Sequence, residues 1–254
     1  MKSARIVGTE LWYQQLAYWR NPVGAFFTFF MPVLFLVIFA SIDSGAHYEG
    51  LKFDQYFIPG IMTFGVIAAC YTNLSIALTT QREQGILKRV RGTPLPPWAY
   101  LLATVVSCVI RAAVLVGLTL GVGVAFYGLI IPAHAAVALT ITVVLGAATF
   151  CALGVAVTVF IPNADAAPAV VNGVYLPLMF ISGTFFPIAS TSVLAKISAF
   201  FPVRPFVLSC FNALDPRIHS GSLHAAWLEN LAIWCAVALI FAVRRFSWLP
   251  RRRA

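Results

Sequence analysis

The most constraining feature of this sequence is a set of six apolar stretches, each about as long as a membrane-crossing helix. They cover residues 24–42, 56–80, 98–127, 133–160, 167–188 and 225–243. A bilayer core about 30 Å thick requires a helix of about 20 mainly apolar residues. With 61% hydrophobic residues, 10% charged residues and a mean hydropathy of +0.90, the chain leaves little for a soluble domain. The sequence therefore predicts an all-α integral membrane protein with six transmembrane helices, folded as a single domain over residues 1–254.

The placement of the basic residues predicts the orientation of these helices. Of the 17 Lys and Arg residues, 12 lie before the first span, between the second and third spans, or after the last span. Lys52, Lys196, Arg204 and Arg217 fall in segments predicted to face outward. Because cytoplasmic flanks collect Lys and Arg, we predict cytoplasmic N and C termini and a location in the cell inner (plasma) membrane. The scatter also argues against nucleic-acid binding, which requires basic residues gathered on one soluble face.

Three segments outside the spans have a predicted structure of their own. Residues 5–20 form an amphipathic pattern that predicts a helix at the membrane interface. Residues 81–97 form a cytoplasmic segment that includes a short amphipathic helix around residues 82–90. Residues 189–224 are rich in Phe and Pro and poor in charge, which predicts an external re-entrant hairpin of broken helices in the outer leaflet.

A few polar or small residues interrupt the apolar spans. Arg111 stands about thirteen residues into the third span, which predicts a position near mid-bilayer. It has a structural role, through carbonyls and hydroxyls, or a place on the substrate path, or else the span itself is misplaced. Asn73 and Asn172 are weaker candidates of the same kind. Gly117 and Gly121 form a small-residue face, for which we predict helix packing within one subunit.

The sequence lacks the motifs of a membrane enzyme or of an ATPase. It has no His-Glu-x-x-His zinc motif, no Gly-x-Ser-x-Gly elbow and no Gly-x-x-x-x-Gly-Lys-Ser/Thr phosphate loop. We therefore expect no catalytic residue, no metal ligand and no cofactor in this chain. Any energy from ATP must be supplied by a partner.

Residues 81–94 carry a resemblance to a known family. The permease subunits of ATP-binding-cassette exporters of the ABC-2 type, especially the daunorubicin-resistance-like ones, have a stretch Glu-Arg-Glu-x-Gly-Thr-Leu-Lys-Arg-Leu-x-x-Thr-Pro between their second and third spans. The matching residues here are Arg82, Glu83, Gly85, Leu87, Lys88, Arg89, Thr93 and Pro94. The chain departs from the pattern at Gln81 and Ile86. Residues 182–188 also resemble the family's Gly-x-x-Phe-Pro ending of the fifth span.

The resemblance implies a function and a set of partners. A permease of this family joins a second permease copy, here expected as a homodimer, and two copies of a separate ATPase that binds ATP and Mg. The resemblance assigns contact with that ATPase to residues of the cytoplasmic segment, namely Arg82, Glu83, Gly85, Leu87, Lys88 and Arg89. A hydrophobic drug-like substrate, or a lipid or glycolipid, would cross between the two permeases. The alternative is a stand-alone ion-coupled transporter or channel, which would require ionisable groups near the midplane.

Overall fold

The structure is a computed structural model that describes residues 2–42, 47–48, 51–93, 95–132, 135–185, 188, 192–215, 217, 223–246 and 248. Its helices are α1 Lys2–Trp19, α2 Pro22–Ile42, α3 Phe53–Ile67, α4 Asn73–Glu83, α5 Ile86–Arg91, α6 Pro97–Tyr127, α7 Ala135–Val157, α8 Ala167–Ile181, α9 Val193–Phe200, α10 Val203–Leu214 and α11 Ala225–Arg245. A π-helical turn, Ala68–Thr72, joins α3 to α4. Two short antiparallel strands, β1 His47–Tyr48 and β2 Leu51–Lys52, lie between α2 and α3.

The helical membrane architecture predicted from the sequence is confirmed. Five stretches are long and apolar enough to cross a bilayer: Pro22–Phe39, Tyr56–Glu83, Trp98–Tyr127, Ala135–Val157 and Ala225–Arg245. They correspond to five of the six predicted spans. The bent pair α9 and α10 could supply a sixth crossing by length and composition. The chain is thus a multi-pass membrane protein with five or six candidate spans.

The predicted fifth span differs most from the structure. Residues 167–188 were expected to form one helix, but α8 ends at Ile181. Gly183 follows with a φ of +80°, the left-handed conformation with which many helices end. At 1.5 Å per residue α8 is about 22 Å long, which is shorter than a bilayer core. The fourth helix is also shorter than predicted, because Val157 is followed by a turn over residues 158–160.

A π-helical turn shifts the helical register between the two halves of the second span, α3 and α4. Its hydrogen bond runs from the amide of Asn73 to the carbonyl of Ala68, which places one extra residue in the turn. Within the turn, Ala69, Cys70 and Tyr71 are buried. One turn later, Ser75 donates a 2.9 Å hydrogen bond to the carbonyl of Gly154 in α7. The turn therefore adjusts the span so that its two halves both pack on α7.

Helix α7 lies at the centre of the bundle, where small residues allow close approach. A Cβ on Gly146 would stand 2.3 Å from the Phe206 ring of α10, and one on Gly154 would stand 3.1 Å from the carbonyl of Cys70. Neighbouring elements thus pack directly on the α7 backbone. By contrast, a Cβ on Gly117 or Gly121 of α6 would meet no atom within 4 Å. The packing within one subunit that we predicted for these two glycines is therefore wrong, since they lie on an open face.

The bundle has two chemically different ends. We call the end that holds α5, residues 158–166 and the last turn of α11 the basic end, and the end that holds Tyr56, Gly128 and Gly183 the opposite end. The Tyr56 hydroxyl donates to the carbonyl of Gly183 there, at 3.1 Å. Between α9 and α10 the chain bends by 98°. Arg204, which we expected to face outward, is 7% exposed because α10 packs into the bundle against α3 and α7.

Candidate functional site

The predicted cytoplasmic helix is divided in two by a glycine. Helix α4 ends at Glu83, and Gly85 adopts a φ of +72° before α5 begins at Ile86. Arg82 and Glu83 therefore belong to the end of the long second span, whereas Lys88 belongs to the short helix. We expected a single helix over residues 82–90, and the left-handed residue explains the difference, because no α-helix continues through it. Pro94 lies outside the described residues.

The side chain of Arg82 points into the protein. It is 3% exposed, and its Nη1 and Nη2 donate to the carbonyls of Thr158 and Ile161 at 2.9 and 2.7 Å. These carbonyls lie just beyond the end of α7, where they have no helical partners of their own. The planar guanidinium satisfies both at once. Arg82 thus ties the end of α4 to the end of α7.

Glu83, the residue after Arg82, binds the same stretch of chain. Its Oε2 accepts a 2.6 Å hydrogen bond from the amide of Ala164. Within the stretch, Asn163 Oδ1 accepts from the amide of Ala166 at 2.8 Å. We call residues 158–166 the 158–166 turn. Arg82 and Glu83 together hold this turn against the base of α5.

The other side of the segment is tied to α6. The Tyr100 hydroxyl donates to Gln81 Oε1 at 2.6 Å. Beyond α5, Thr93 Oγ1 donates to the carbonyl of Val90 at 2.6 Å and accepts from the amide of Leu95 at 3.4 Å. Leu87, on the inner face of α5, is fully buried. The segment 81–95 is therefore fixed on both flanks.

The outer face of α5 is strongly basic. Lys88, Arg89 and Arg91 are exposed, and none of them makes an ion pair within the described part of the chain. The apolar Ile86 beside them is 38% exposed. This fixed surface of positive charge and apolar area suits an acidic protein groove or lipid phosphate.

A groove of about 550 Å³ lies next to this surface, between α1 and the end of the segment. Its lining residues come from both elements: Arg5, Ile6, Thr9, Glu10, Tyr13, Thr93 and Leu95. On the inner side of α1, Gln14 Nε2 donates both to Glu10 Oε1 and to Thr104 Oγ1 of α6, each at 3.0 Å. Helix α1 is thus docked on α6 beside the basic face.

Arg111 lies close to the junction of α1 and α2. Its guanidinium carbon is 4.4 Å from the centre of the Tyr18 ring, and its Nε donates to the carbonyl of Ser107 at 3.1 Å. Burial raises the pKa of Tyr18, so the phenol stays neutral and meets the cation through its ring. Tyr18 is in the last turn of α1, so Arg111 packs against the end of that helix.

The three polar residues predicted for a substrate path are not brought together. Asn73 Nδ2 donates to Thr28 Oγ1 of α2 at 3.0 Å, which is a helix-to-helix contact. Asn172 is half-buried on α8. Arg111 contacts α1, as described. Among the described residues, no three His, Cys, Asp or Glu side chains are placed to hold a metal ion.

Comparison with known proteins assigns the family. The sequence profile of the ABC-2 type transporter matches residues 7–210, which is most of the chain. The chain belongs to the ABC-2 type transporter family. It is also similar to the daunorubicin resistance ABC transporter permease protein DrrB1 of Streptomyces coeruleorubidus, with 28% identity over 117 residues. That match covers 45% of this chain and 41% of the relative, so it spans less than half of either protein.

The sequence found the segment but not the roles of all its residues. Arg82 and Glu83 were expected to meet a partner, which stays a prediction, and the structure shows both bound to the 158–166 turn. Ile161 and Ala164, which receive these contacts, were not singled out. Pro162 and Asn163 indicated a turn in the sequence. No local pattern shows that this stretch binds Arg82, because the two are 76 residues apart.

Proposed function

We propose that this chain is the permease subunit of an ATP-driven exporter that works with a separate ATPase. The observation that carries the proposal is the basic outer face of α5, held rigidly by contacts to two distant parts of the chain. Membership of the ABC-2 type transporter family supports it, as does the permease named in the similar protein. ATP and Mg would be bound by the partner ATPase, and the permease face would lie in the cytoplasm.

The contacts around α5 suggest how movement of an ATPase would reach the membrane. A push on Lys88 and Arg89 moves α5, whose base is fixed by Arg82 and Glu83 to the 158–166 turn. That turn connects α7 to α8, and Gln81 connects the same base to α6. A displacement of α5 would therefore be transmitted to α4, α6, α7 and α8 together. This is what rigid-body switching between two arrangements of the helix bundle requires.

The proposal extends to assembly and substrate. Two permease copies, two ATPase copies and the surrounding membrane lipid would form the full exporter in the inner (plasma) membrane. The exposed apolar stripe of α1, with Trp12, Leu16 and Trp19, suits a position at the membrane interface. Because described charges inside the bundle are few, a hydrophobic drug-like molecule, or a lipid or glycolipid, is the substrate class that fits best.

The test is co-purification of the permease with its candidate ATPase, followed by ATP hydrolysis in liposomes. The Lys88→Ala, Arg89→Ala double variant should bind the ATPase at least about tenfold more weakly than the wild type. The matched control is Arg244→Ala, Arg245→Ala, which removes two exposed basic residues at the same end of the bundle. If the wild type holds no ATPase, the exporter proposal fails, and an ion-coupled transporter becomes the better account.

A further inference from the structure

An apolar cavity of about 190 Å³ lies between α8 and α11, beside the bend that joins α9 to α10. Its walls are aliphatic and aromatic side chains, and they include Ile67, Tyr71, Phe150, Leu178, Val203 and Trp234. Among the described residues that line it, none is charged. These side chains come from α3, the π-helical turn, α7, α8, α10 and α11, so a group seated in the cavity would contact most elements of the bundle.

The cavity offers water too few hydrogen-bonding partners. The Tyr175 hydroxyl donates to the carbonyl of Phe64 at 3.1 Å, and the Trp234 indole N–H donates to the carbonyl of Phe200 at 2.8 Å. Among the described lining residues, the Tyr71 hydroxyl is then the polar side-chain group left for a ligand. A buried water needs about two to four polar partners, whereas an apolar cavity of about 150 Å³ stays dry and binds benzene. The cavity is therefore suited to an apolar group.

Two helices place the cavity near the middle of the bilayer. Trp234 is about 14 Å along α11, a helix about 30 Å long. Tyr71 is about 22 Å along the span Tyr56–Glu83, which is about 40 Å long. The middle of a bilayer about 30 Å thick is where the ends of the lipid acyl chains lie.

The cavity also opens toward the surrounding lipid. Val174 of α8 both lines the cavity and is 50% exposed on the outer surface of the bundle. On the other side of the opening, Ile233 stands next to Trp234 on α11 and is 63% exposed. Helices α8 and α11 make little direct contact with each other, because α8 packs mainly on α4 and α11 packs mainly on α7. A hydrocarbon group therefore has a lateral path into the cavity.

We propose that this cavity binds the terminal part of an acyl chain from a membrane lipid. The chain enters past Val174, and its last carbons pack on Tyr71 and Phe150. Because the walls carry no charge, the site selects the chain and is indifferent to the lipid headgroup. The bound chain supplies the van der Waals contacts that an empty cavity would lack, and it bridges α8 and α11. This inference does not depend on the ATPase or on the transported substrate.

The test is photo-crosslinking of the full chain in liposomes of phosphatidylcholine whose acyl chain carries a diazirine. With the diazirine at the end of the chain, mass spectrometry should find adducts on Tyr71 and Phe150. These residues are 7% and 2% exposed, so lipid on the outer surface cannot reach them. With the diazirine next to the headgroup, adducts on these two residues should be absent. Phosphatidylglycerol with the same end-labelled chain should give the same adducts as phosphatidylcholine.

A variant at the opening separates entry into the cavity from contact with the outer surface. Val174→Phe narrows the opening and should remove the adducts on Tyr71 and Phe150, while adducts on the exposed Ile233 remain. Val137→Phe is the matched control, because Val137 is an exposed residue of α7 that does not line the cavity. It should label like the wild type.

Three outcomes would overturn the proposal. The first is an end-labelled chain that marks only exposed residues of the wild type. The second is an equal loss of the Tyr71 and Phe150 adducts in Val137→Phe and Val174→Phe. The third is labelling of Tyr71 by a free phenyl diazirine but not by the end-labelled chain, which would assign the cavity to small apolar molecules instead.

Discussion

The charged residues around α5 form two groups with different roles. Arg82 and Glu83 point inward and hold the 158–166 turn, whereas Lys88, Arg89 and Arg91 point outward. Substitutions of the inner pair should therefore change the stability of the protein itself. Substitutions of the outer group should change only what binds to it.

Replacing the inner arginine should destabilise the fold. Arg82→Met removes donors from the buried carbonyls of Thr158 and Ile161, and we expect the free energy of unfolding to fall by about 2–3 kcal/mol. Arg82→Lys should recover part of this loss, because an ammonium cannot match the planar fork. The measurement is unfolding in mixed micelles. Arg91→Met, an exposed control in the same segment, should leave stability within about 0.5 kcal/mol of the wild type.

The left-handed glycine offers a second test at this scale. Gly85→Ala forces a Cβ into a φ of +72°, which should cost about 1–2 kcal/mol of stability. Gly92→Ala is the matched control, since that residue has a φ of −82° and only ordinary contacts around its Cβ position. Equal effects of the two substitutions on the unfolding transition would contradict the assignment of a strained turn at Gly85.

Residue roles are the part of the site that the sequence could not supply. The motif located residues 81–94, but the direction of Arg82 depends on carbonyls 76 and 79 residues away. Arg204 was assigned outward because it falls in a segment outside the predicted spans. Arg204 is buried because α10 packs back into the bundle. The distribution of charged residues along the sequence gives no information about this long-range packing.

At the scale of elements, α7 organises the fold because its glycines allow close packing. Gly146→Ala would place a Cβ 2.3 Å from the Phe206 ring, so α10 must shift. We expect a loss of about 1–3 kcal/mol in the free energy of unfolding, as for other overpacked cores. Gly173→Ala in α8 is the control, because its Cβ would meet no atom within 4 Å. A neutral Gly146→Ala would show that α10 is not seated on α7.

Helix positions were predictable where apolar runs decide them, and helix ends were not. The spans beginning near Tyr56, Trp98 and Ala225 agree with the structure because about 20 apolar residues can only cross the bilayer as a helix. The end of α8 depends instead on the left-handed Gly183, inside a run that is still apolar. Hydropathy cannot report such a backbone conformation.

For the whole molecule, the two ends of the bundle should face different compartments. In a variant without the five native cysteines, Asn163→Cys in the 158–166 turn should react with a membrane-impermeant maleimide only after the cells are permeabilised. Leu223→Cys, just before α11, should react in intact cells, because the positions of the basic residues predict that the opposite end faces outward. Labelling of Asn163→Cys in intact cells would show that the orientation is the reverse of the one that the basic residues predict.

The contacts that hold the 158–166 turn also set the order in which the chain can fold. Arg82 and Glu83 meet partners 76 to 81 residues later in the sequence, so their contacts are distant in chain order. At about 5–20 residues per second, a ribosome needs about 4–16 s to make that stretch. During this interval the end of α4 has already been synthesised, and Arg82 lacks its two carbonyl partners until residue 161 has been made. The segment that is proposed to meet the ATPase is therefore completed only after α7 has been made, which delays subunit assembly until four of the five or six candidate spans have been synthesised.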